Sequence, residues 1–238
     1  MRSIKVIIHL FFSLLANIGP MYKIKSMDEK GTPREERESY VHKVTTKWAA
    51  SIVKSTGSTV EVFGEENLIE NSPIVYISNH QSDFDVPILM SKVKTPKGFI
   101  AKIEMLKAPV VRTWMKYLHC VFMDRSNLRK SAAAIIEGVK ILKEGNSLVI
   151  FPEGTRSKTG ELLDFKSGSF KLATKAKVPI IPITIVGSSK IFEGNGNRIK
   201  PAHVKVYIHP PIYTKGLTKE EEELLPEQVK AIVASKLN

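Results

Sequence analysis

The stretch SPIVYISNHQSDFDVP, residues 72–87, joins an apolar run to a cluster of polar residues and turn formers. Its first half has the length and the β-branched and aromatic content of a buried strand. Similar short runs recur along the chain as TVEVFG, GFIA, HCVFMD, SLVIFP, PIIPITIVG and HVKVYIH, with helical patterns between several of them. Strands that alternate with helices predict an α/β fold, in which a mixed, partly parallel sheet is flanked by helices.

The pattern changes near Ser58, where helical periodicity gives way to these β-rich runs. We therefore predict an N-terminal two-helix region over residues 1–57 and one α/β domain over residues 58–238. The domain is expected to include a C-terminal helix over residues 218–236, interrupted at Pro226. The chain of 238 residues is long enough for one main hydrophobic core.

Basic residues exceed acidic ones, with 36 Lys and Arg against 24 Asp and Glu and a formal net charge of +12. Such a charge attracts nucleic acid, anionic lipid headgroups or acidic proteins. The strongest basic residues fall singly within motifs rather than along a stripe, so we predict no nucleic-acid partner. The single Cys120 excludes an internal disulfide framework and a zinc site of the multi-cysteine kind, and it suits a reducing compartment.

The charge-free segment between Lys5 and Lys23 is expected to form a short apolar helix that ends at Gly19-Pro20. It resembles part of a signal peptide, but Ala16-Asn17-Ile18 is a poor cleavage signal, and we expect the segment to be retained. The helix would reach only about 20–23 Å, less than a hydrocarbon core of roughly 30 Å. Its polar residues recur every four positions and form one stripe of His9, Ser13 and Asn17.

A second helix is expected after a charged linker, with Thr32 as N-cap, Pro33 as first helical residue and Glu35 completing a capping box. One face carries Val41, Val44, Trp48 and Ile52, and another carries Lys43, Lys47 and Lys54. A basic amphipathic helix beside a short apolar helix predicts a membrane-associating motif at an anionic membrane surface. The alternative is a helical pair that packs on the domain itself or on a second subunit.

His80 and Asp85 lie in NHQSDFD, residues 79–85, directly after the run SPIVYIS. On a regular helix, residues five apart differ by about 140° around the axis, so a contact between them requires a turn. Ser82, Asp83 and Pro87 are residues that favour such a turn. A carboxylate at the imidazole would make His80 a general base, because it fixes the tautomer and stabilises the cation. The alternative is an ordinary capped turn.

Two further loops carry an arginine after an apolar run. In FPEGTRS, residues 151–157, Gly154 permits a tight bend, Thr155 and the loop amides can donate hydrogen bonds, and Arg156 can bind a phosphate with two nitrogens. In VFMDRSN, residues 121–127, Arg125 also follows a strand, and Lys102 and Lys166 could complete one basic pocket. Each loop alone is compatible with a charged surface turn, and neither has the spacing of a Walker loop.

Together, these blocks resemble the glycerolipid acyltransferases that share an H-x4-D motif, specifically the 1-acylglycerol-3-phosphate acyltransferases. NHQSDFD is similar to the first block of the family, VFMDRSN to the second, FPEGTRS to the third, and VPIIPI at residues 178–183 to the fourth. Their order and spacing match, and the resemblance extends from about Val60 to Val206. One departure is His119, since the second block of the family often opens with Gly.

The resemblance implies that His80 and Asp85 are the catalytic pair, and that His80 deprotonates the free hydroxyl of a lysophosphatidic acid. The residues implied in substrate binding are Arg125, Glu153, Gly154, Thr155 and Arg156. Lys102 is added to the predicted substrate-binding residues as a member of the basic pocket. The acyl donor would be a thioester of acyl carrier protein or coenzyme A, which is a co-substrate, and neither a cofactor nor a metal is implied. The product would be phosphatidic acid, formed at the cytoplasmic face of the cell membrane.

Other functions remain open at this point. Within the family, another lysolipid or glycerol phosphate is the alternative acceptor. A covalent route through Cys120 is conceivable, although its apolar surroundings are typical of a buried thiol. A Ser-His-Asp hydrolase would use Ser82, but the chain has no G-x-S-x-G elbow. The non-enzymatic alternative is a basic protein that binds anionic membranes.

Overall fold

In the computed structural model, which describes residues 1–157 and 160–237, seven strands form one sheet. They are β1 (Thr59–Phe63), β2 (Val75–Ser78), β3 (Gly98–Lys102), β4 (Val121–Met123), β5 (Leu148–Ile150), β6 (Ile180–Val186) and β7 (His203–Ile208). Their order in the sheet is β1-β7-β6-β2-β5-β3-β4. Neighbouring strands are parallel except for β6 and β7, which are antiparallel. The predicted mixed, partly parallel sheet is therefore confirmed.

Helices cover both faces of this sheet. They are α1 (Arg2–Ala16), α2 (Ile18–Glu29), α3 (Arg34–Thr56), α4 (Asp85–Lys92), α5 (Pro109–Tyr117), α6 (Leu128–Lys143), α7 (Lys171–Ala176) and α8 (Lys219–Ala234). Buried side chains of α3 and α4 share one core with the sheet, and those of α6, α7 and α8 share another core. The sheet is thus the middle of three layers.

Strand β2 shows why a central strand of this fold is apolar throughout. All four of its residues are buried. Tyr76 belongs to the core under α3 and α4, whereas Val75 and Ile77 belong to the core under α6, α7 and α8. Because successive side chains of a strand point to opposite faces, coverage of both faces requires a continuous apolar run.

The N-terminal helix boundaries differ from those predicted. The first helix ends at Ala16, and a new helix begins at Ile18, so Gly19-Pro20 lies in the first turn of α2 rather than at the end of α1. The prediction was wrong because a proline in the first turn of a helix lacks only an N–H that would have no partner there. The predicted charged linker is accordingly helical as far as Glu29.

The predicted capping box at Thr32 is also wrong. Pro33 is the residue that precedes α3, and no side chain caps that helix. A capping box occurs instead at α8, where Thr218 Oγ1 accepts from Glu221 N at 3.2 Å and Glu221 Oε2 accepts from Thr218 N at 2.8 Å. Helix α8 then continues through Pro226, which is buried, so the predicted interruption is absent and packing outweighs the low helix propensity of proline.

The polar stripe of α1 faces inward. His9 Nε2 lies 3.1 Å from Ser51 Oγ, and Trp48 Nε1 donates to Ser13 Oγ at 3.0 Å. The large apolar side chains of α1 face outward instead, with Phe11 59% exposed and Phe12 62% exposed. By length and composition, residues 2–29 could cross a membrane. The helical pair therefore packs on its own domain, yet presents an apolar outer surface.

Helix α3 ends at Thr56 and β1 begins at Thr59, on either side of the proposed boundary at residues 57 and 58. Ala49 and Val53 of α3 are buried in the same core as Tyr76 of β2. The division of the chain into a helical region and an α/β domain stays a prediction.

The central layer should dominate the stability of the protein. Ile181 on β6 is fully buried, so Ile181→Ala should lower the free energy of unfolding by about 2–5 kcal/mol through lost burial and a new cavity. Ile136 on α6 is 65% exposed, so Ile136→Ala should change it by less than about 0.5 kcal/mol. Urea denaturation of both variants checks this, and an equal loss in both would contradict the assignment of the core.

Candidate active site

The predicted site residues follow strands that end at one edge of the sheet. His80 comes after β2, and residues 151–156 come after β5, which is the parallel neighbour of β2. Arg125 follows β4 and Lys102 ends β3, a parallel pair at the same edge. In α/β folds this edge is where ligands bind, because the loops that leave parallel strands converge there.

Asp85 holds the His80 ring and the turn around it. Asp85 Oδ2 lies 2.8 Å from His80 Nδ1 and also accepts from the backbone N–H groups of Gln81 and Ser82, each at 2.8 Å. Helix α4 begins at Asp85, so the intervening residues are free to form the turn that the contact requires. The side chain of Asp85 is fully buried. The catalytic-pair and capped-turn interpretations therefore describe one arrangement.

The loop after β5 fixes His80 from the other side. The Phe151 ring stacks on the imidazole, with centroids 4.0 Å apart and an angle of 15° between planes. The backbone N–H of His80 donates to Glu153 Oε1 at 2.7 Å, and its carbonyl accepts from Ser157 N at 2.9 Å. Since Nδ1 is bound to Asp85, Nε2 is the ring nitrogen left for a substrate proton.

The Glu153 carboxylate faces backbone N–H groups, unlike the side chain of a typical phosphate-binding residue. It is buried, and its second carboxylate oxygen accepts from Leu163 N at 3.1 Å while the first binds His80 N. Burial raises the pKa of the Glu153 carboxyl, and the two N–H groups oppose that rise. Placed in this way, Glu153 stabilises the loop beneath His80, and a direct contact with substrate stays a prediction.

The cationic side chains of Arg125 and Lys166 both lie next to Gly154. The Arg125 guanidinium donates to the Gly154 carbonyl, and burial lowers the pKa of Arg125, which stays protonated at any physiological pH. Gly154 has φ +74°, a backbone conformation that disfavours a side chain, and Lys166 Nζ lies 2.7 Å from the place that a Cβ would take. Thr155 is exposed beside them. Lys102 is exposed and pairs with Met123 of β4, which places it at the same edge.

Arg156 is bound to two carboxylates. Its Nη1 lies 2.5 Å from Asp83 Oδ2 and 2.8 Å from Glu193 Oε1. Glu193 was not found from the sequence, because it lies in a loop after β6 and outside the four motif blocks. The strand order could have indicated Glu193, because β6 lies beside β2 and brings the loop after β6 to the same edge of the sheet.

Cys120 and Ser82 lie in environments that do not favour nucleophilic roles. Cys120 is buried, its Sγ accepts from Phe99 N at 3.3 Å, and burial raises the pKa of the thiol to about 12. The Ser82 hydroxyl donates to Glu193 Oε2 at 2.6 Å rather than to His80. Within residues 1–157 and 160–237, no group of three or more His, Cys, Asp or Glu could hold a metal ion.

His119, which departs from the usual glycine, adopts the backbone conformation that glycine favours. Its φ is +55°, in the left-handed region, and its Nε2 lies 3.2 Å from Glu38 Oε1. The chain therefore enters β4 along a path that a glycine would also allow.

Comparison with known proteins supports these motifs. The family model described as Acyltransferase matches residues 59–186. The 1-acyl-sn-glycerol-3-phosphate acyltransferase of Borreliella burgdorferi is 31% identical over 181 residues, which are 76% of this chain and 72% of that protein. The chloroplastic 1-acyl-sn-glycerol-3-phosphate acyltransferase BAT2 of Brassica napus is 34% identical over 204 residues, or 85% of this chain. The match spans only 57% of the Brassica protein.

A solved structure is similar over nearly the whole chain. It is the 1-acyl-sn-glycerophosphate (LPA) acyltransferase PlsC of Thermotoga maritima, with 30% identity and a TM-score of 0.78. The likeness covers 99% of this chain and 97% of that one. Because the family model also covers more than half of the sequence, this chain belongs to the acyltransferase family.

Proposed function

We propose that the protein transfers a fatty acyl group from an acyl thioester to the free sn-2 hydroxyl of 1-acyl-glycerol-3-phosphate, giving phosphatidic acid. The observation that carries the proposal is the 2.8 Å contact of His80 Nδ1 with Asp85, at the same sheet edge as Arg125 and Arg156. The names of the similar proteins support the acceptor. Another lysolipid or glycerol phosphate is the alternative acceptor.

In the proposed mechanism, His80 Nε2 removes the proton of the acceptor hydroxyl while the oxygen attacks the thioester carbonyl. A carbon–oxygen bond forms, the carbon–sulfur bond breaks, and the leaving thiolate of the donor takes the proton from the imidazolium. Asp85 orients the ring and stabilises its positive charge during this step. Phe151 and the backbone contact with Glu153 keep the ring in place.

The acceptor phosphate would lie among the loops after β4 and β5. Arg125 and Arg156 supply guanidinium groups, Lys102 and Lys166 add positive charge, and Thr155 offers its backbone N–H and hydroxyl. The proposed donor is a thioester of acyl carrier protein or coenzyme A. The formal net charge of +12 suits the docking of either acidic donor.

We also propose that the outward apolar face of α1 binds the anionic cytoplasmic face of the cell membrane. The exposed Phe11 and Phe12 would enter the acyl region while lysines of α3 remain near the phosphates. The single Cys120 suits the reducing cytoplasm. An acceptor with an acyl tail could then reach the site without leaving the lipid phase.

Loss of the base should abolish acyl transfer. With purified protein, lysophosphatidic acid and each thioester donor, His80→Ala should lower kcat about 10²–10⁴-fold. Asp85→Asn should also lower kcat strongly, since a neutral amide cannot stabilise the positive charge that the His80 ring gains when it takes the proton. The matched control is His203→Ala, because His203 is exposed at β7. Full activity of His80→Ala, or transfer from neither donor by the unaltered protein, would refute the proposal.

The Cys120 thiol should be unreactive in the folded protein and should play no part in acyl transfer. A thiol with a pKa of about 12 is almost entirely protonated at pH 8, so the folded protein should react with a disulfide reagent roughly a thousandfold more slowly than the unfolded chain. The rate should stay low until about pH 10. Cys120→Ser should keep acyl transfer within about twofold, since no catalytic step uses the thiol. Rapid labelling of the folded protein, or inactivity of a folded Cys120→Ser, would favour the covalent route.

Membrane binding should depend on the outer face of α1. The double variant Phe11→Ser and Phe12→Ser should bind anionic liposomes at least about tenfold more weakly, because two exposed aromatic side chains no longer enter the bilayer. Ile136→Ser is the control, since Ile136 is exposed on α6. Liposome flotation measures both, and equal flotation of the double variant and the unaltered protein would exclude this face.

A further inference from the structure

Glu193 joins the two motif loops of the site, although it belongs to neither. It begins a 3₁₀ turn, Glu193–Asn195, in the loop that follows β6. Strands β6 and β2 are parallel neighbours, so this loop leaves the sheet at the edge where the His80 turn also leaves it. The site therefore contains a fourth acidic side chain, in addition to Asp83, Asp85 and Glu153.

The Glu193 carboxylate accepts three hydrogen bonds from two loops. Oε1 accepts from Asp83 N at 2.9 Å and from Arg156 Nη1 at 2.8 Å. Oε2 accepts from the Ser82 hydroxyl at 2.6 Å. Ser82 is fully buried and its backbone N–H binds Asp85, so Glu193 contacts the same turn that orients the base.

The charges at Arg156 do not suit a phosphate in the present arrangement. One guanidinium faces the carboxylates of Asp83 and Glu193, so the three groups together carry a net negative charge. A phosphate brought beside them would be repelled unless the guanidinium turned toward it. Binding of the acceptor phosphate through Nη1 therefore requires an exchange of partners at Arg156.

Arg156 is the group that can move in that exchange. Its side chain is 40% exposed, whereas that of Glu193 is 22% exposed. Glu193 keeps its hydrogen bonds from Ser82 and from the Asp83 backbone when Arg156 leaves. Asp83 is 65% exposed and remains solvated. The carboxylate of Glu193 thus stays in place, and the His80 turn remains held during the exchange.

We infer that Glu193 is a positioning residue whose carboxylate holds Arg156 in the unloaded enzyme and competes with the acceptor phosphate for its guanidinium. The inference rests on the proposed function, because it assigns the ligand of Arg156 as that phosphate. Glu193 then sets the affinity for the acceptor, and it also maintains the turn that carries the base.

Glu193→Gln separates these two effects. The amide keeps an oxygen that accepts from the turn, but it removes the charge that competes with phosphate. Dissociation constants for glycerol 3-phosphate, measured by calorimetry, should fall about two- to fivefold, as expected for the loss of a partly exposed ion pair. The KM for lysophosphatidic acid should fall similarly, with kcat and the KM of the donor within about twofold. Glu193→Ala should lower kcat as well, because it removes every contact with the turn.

Glu223→Gln is the matched control, since it makes the same change of charge at an exposed position on α8. Unchanged or weaker binding of glycerol 3-phosphate by Glu193→Gln would overturn the inference. Equal tightening in the control, or no binding by any of the proteins, would also overturn it. Because calorimetry needs no acyl transfer, an enzyme that binds glycerol 3-phosphate but acylates no lysophosphatidic acid would refute the proposed function and leave this inference standing.

Discussion

The buried carboxylate of Asp85 is the constraint on which the site depends. A buried carboxylate is tolerated when it is paired and hydrogen-bonded, and Oδ2 of Asp85 contacts the imidazole of His80 and two backbone N–H groups. Among the described residues, its buried Oδ1 has no hydrogen-bond partner. The three donors to Oδ2 come from consecutive residues, so their convergence determines the path of the turn between β2 and α4. The hydrogen-bonding requirement of one side chain thus orients the His80 ring at the start of the helix.

The sheet places the other residues of the site beside this turn. β5 brings Phe151 against the imidazole and Glu153 beneath its backbone, and β6 brings Glu193 against Ser82 and Arg156. Both strands flank β2. Carboxylates therefore contact the imidazole of His80 and the guanidinium of Arg156, while Glu153 binds the backbone of the His80 turn. Hydrogen bonds of this kind reduce the conformational freedom of the turn.

The sequence allowed prediction of those features that depend on local pattern. The strands were evident because a sheet covered on both faces needs continuous apolar runs. The spacing of His80 and Asp85 allowed a contact through a turn, but it left an ordinary capped turn open, and the pair was predicted from the resemblance of the blocks to a family. The contacts of Glu193 could not be predicted, since they join residues more than a hundred positions apart through the strand order of the sheet. Helix ends at Gly19-Pro20, Thr32 and Pro226 were misjudged because tertiary packing and first-turn geometry override residue propensity. The stripe of His9, Ser13 and Asn17 was recognised, but its inward direction depends on Trp48 and Ser51 of another helix.

That inward stripe has a consequence for how the protein and a bilayer would meet. In water, an amphipathic helix often packs its apolar side against its own protein. Such a helix must detach or rotate before it enters lipid, and this rearrangement slows insertion. Here the hydrogen bonds of α1 to α3 already occupy the polar side, so its apolar side is available in the folded monomer. Under the proposed membrane binding, partition between water and lipid would then require no hinge and no refolding. The consequence is a permanently exposed apolar surface. Away from lipid, such a surface favours the binding of detergent or of a second protein molecule.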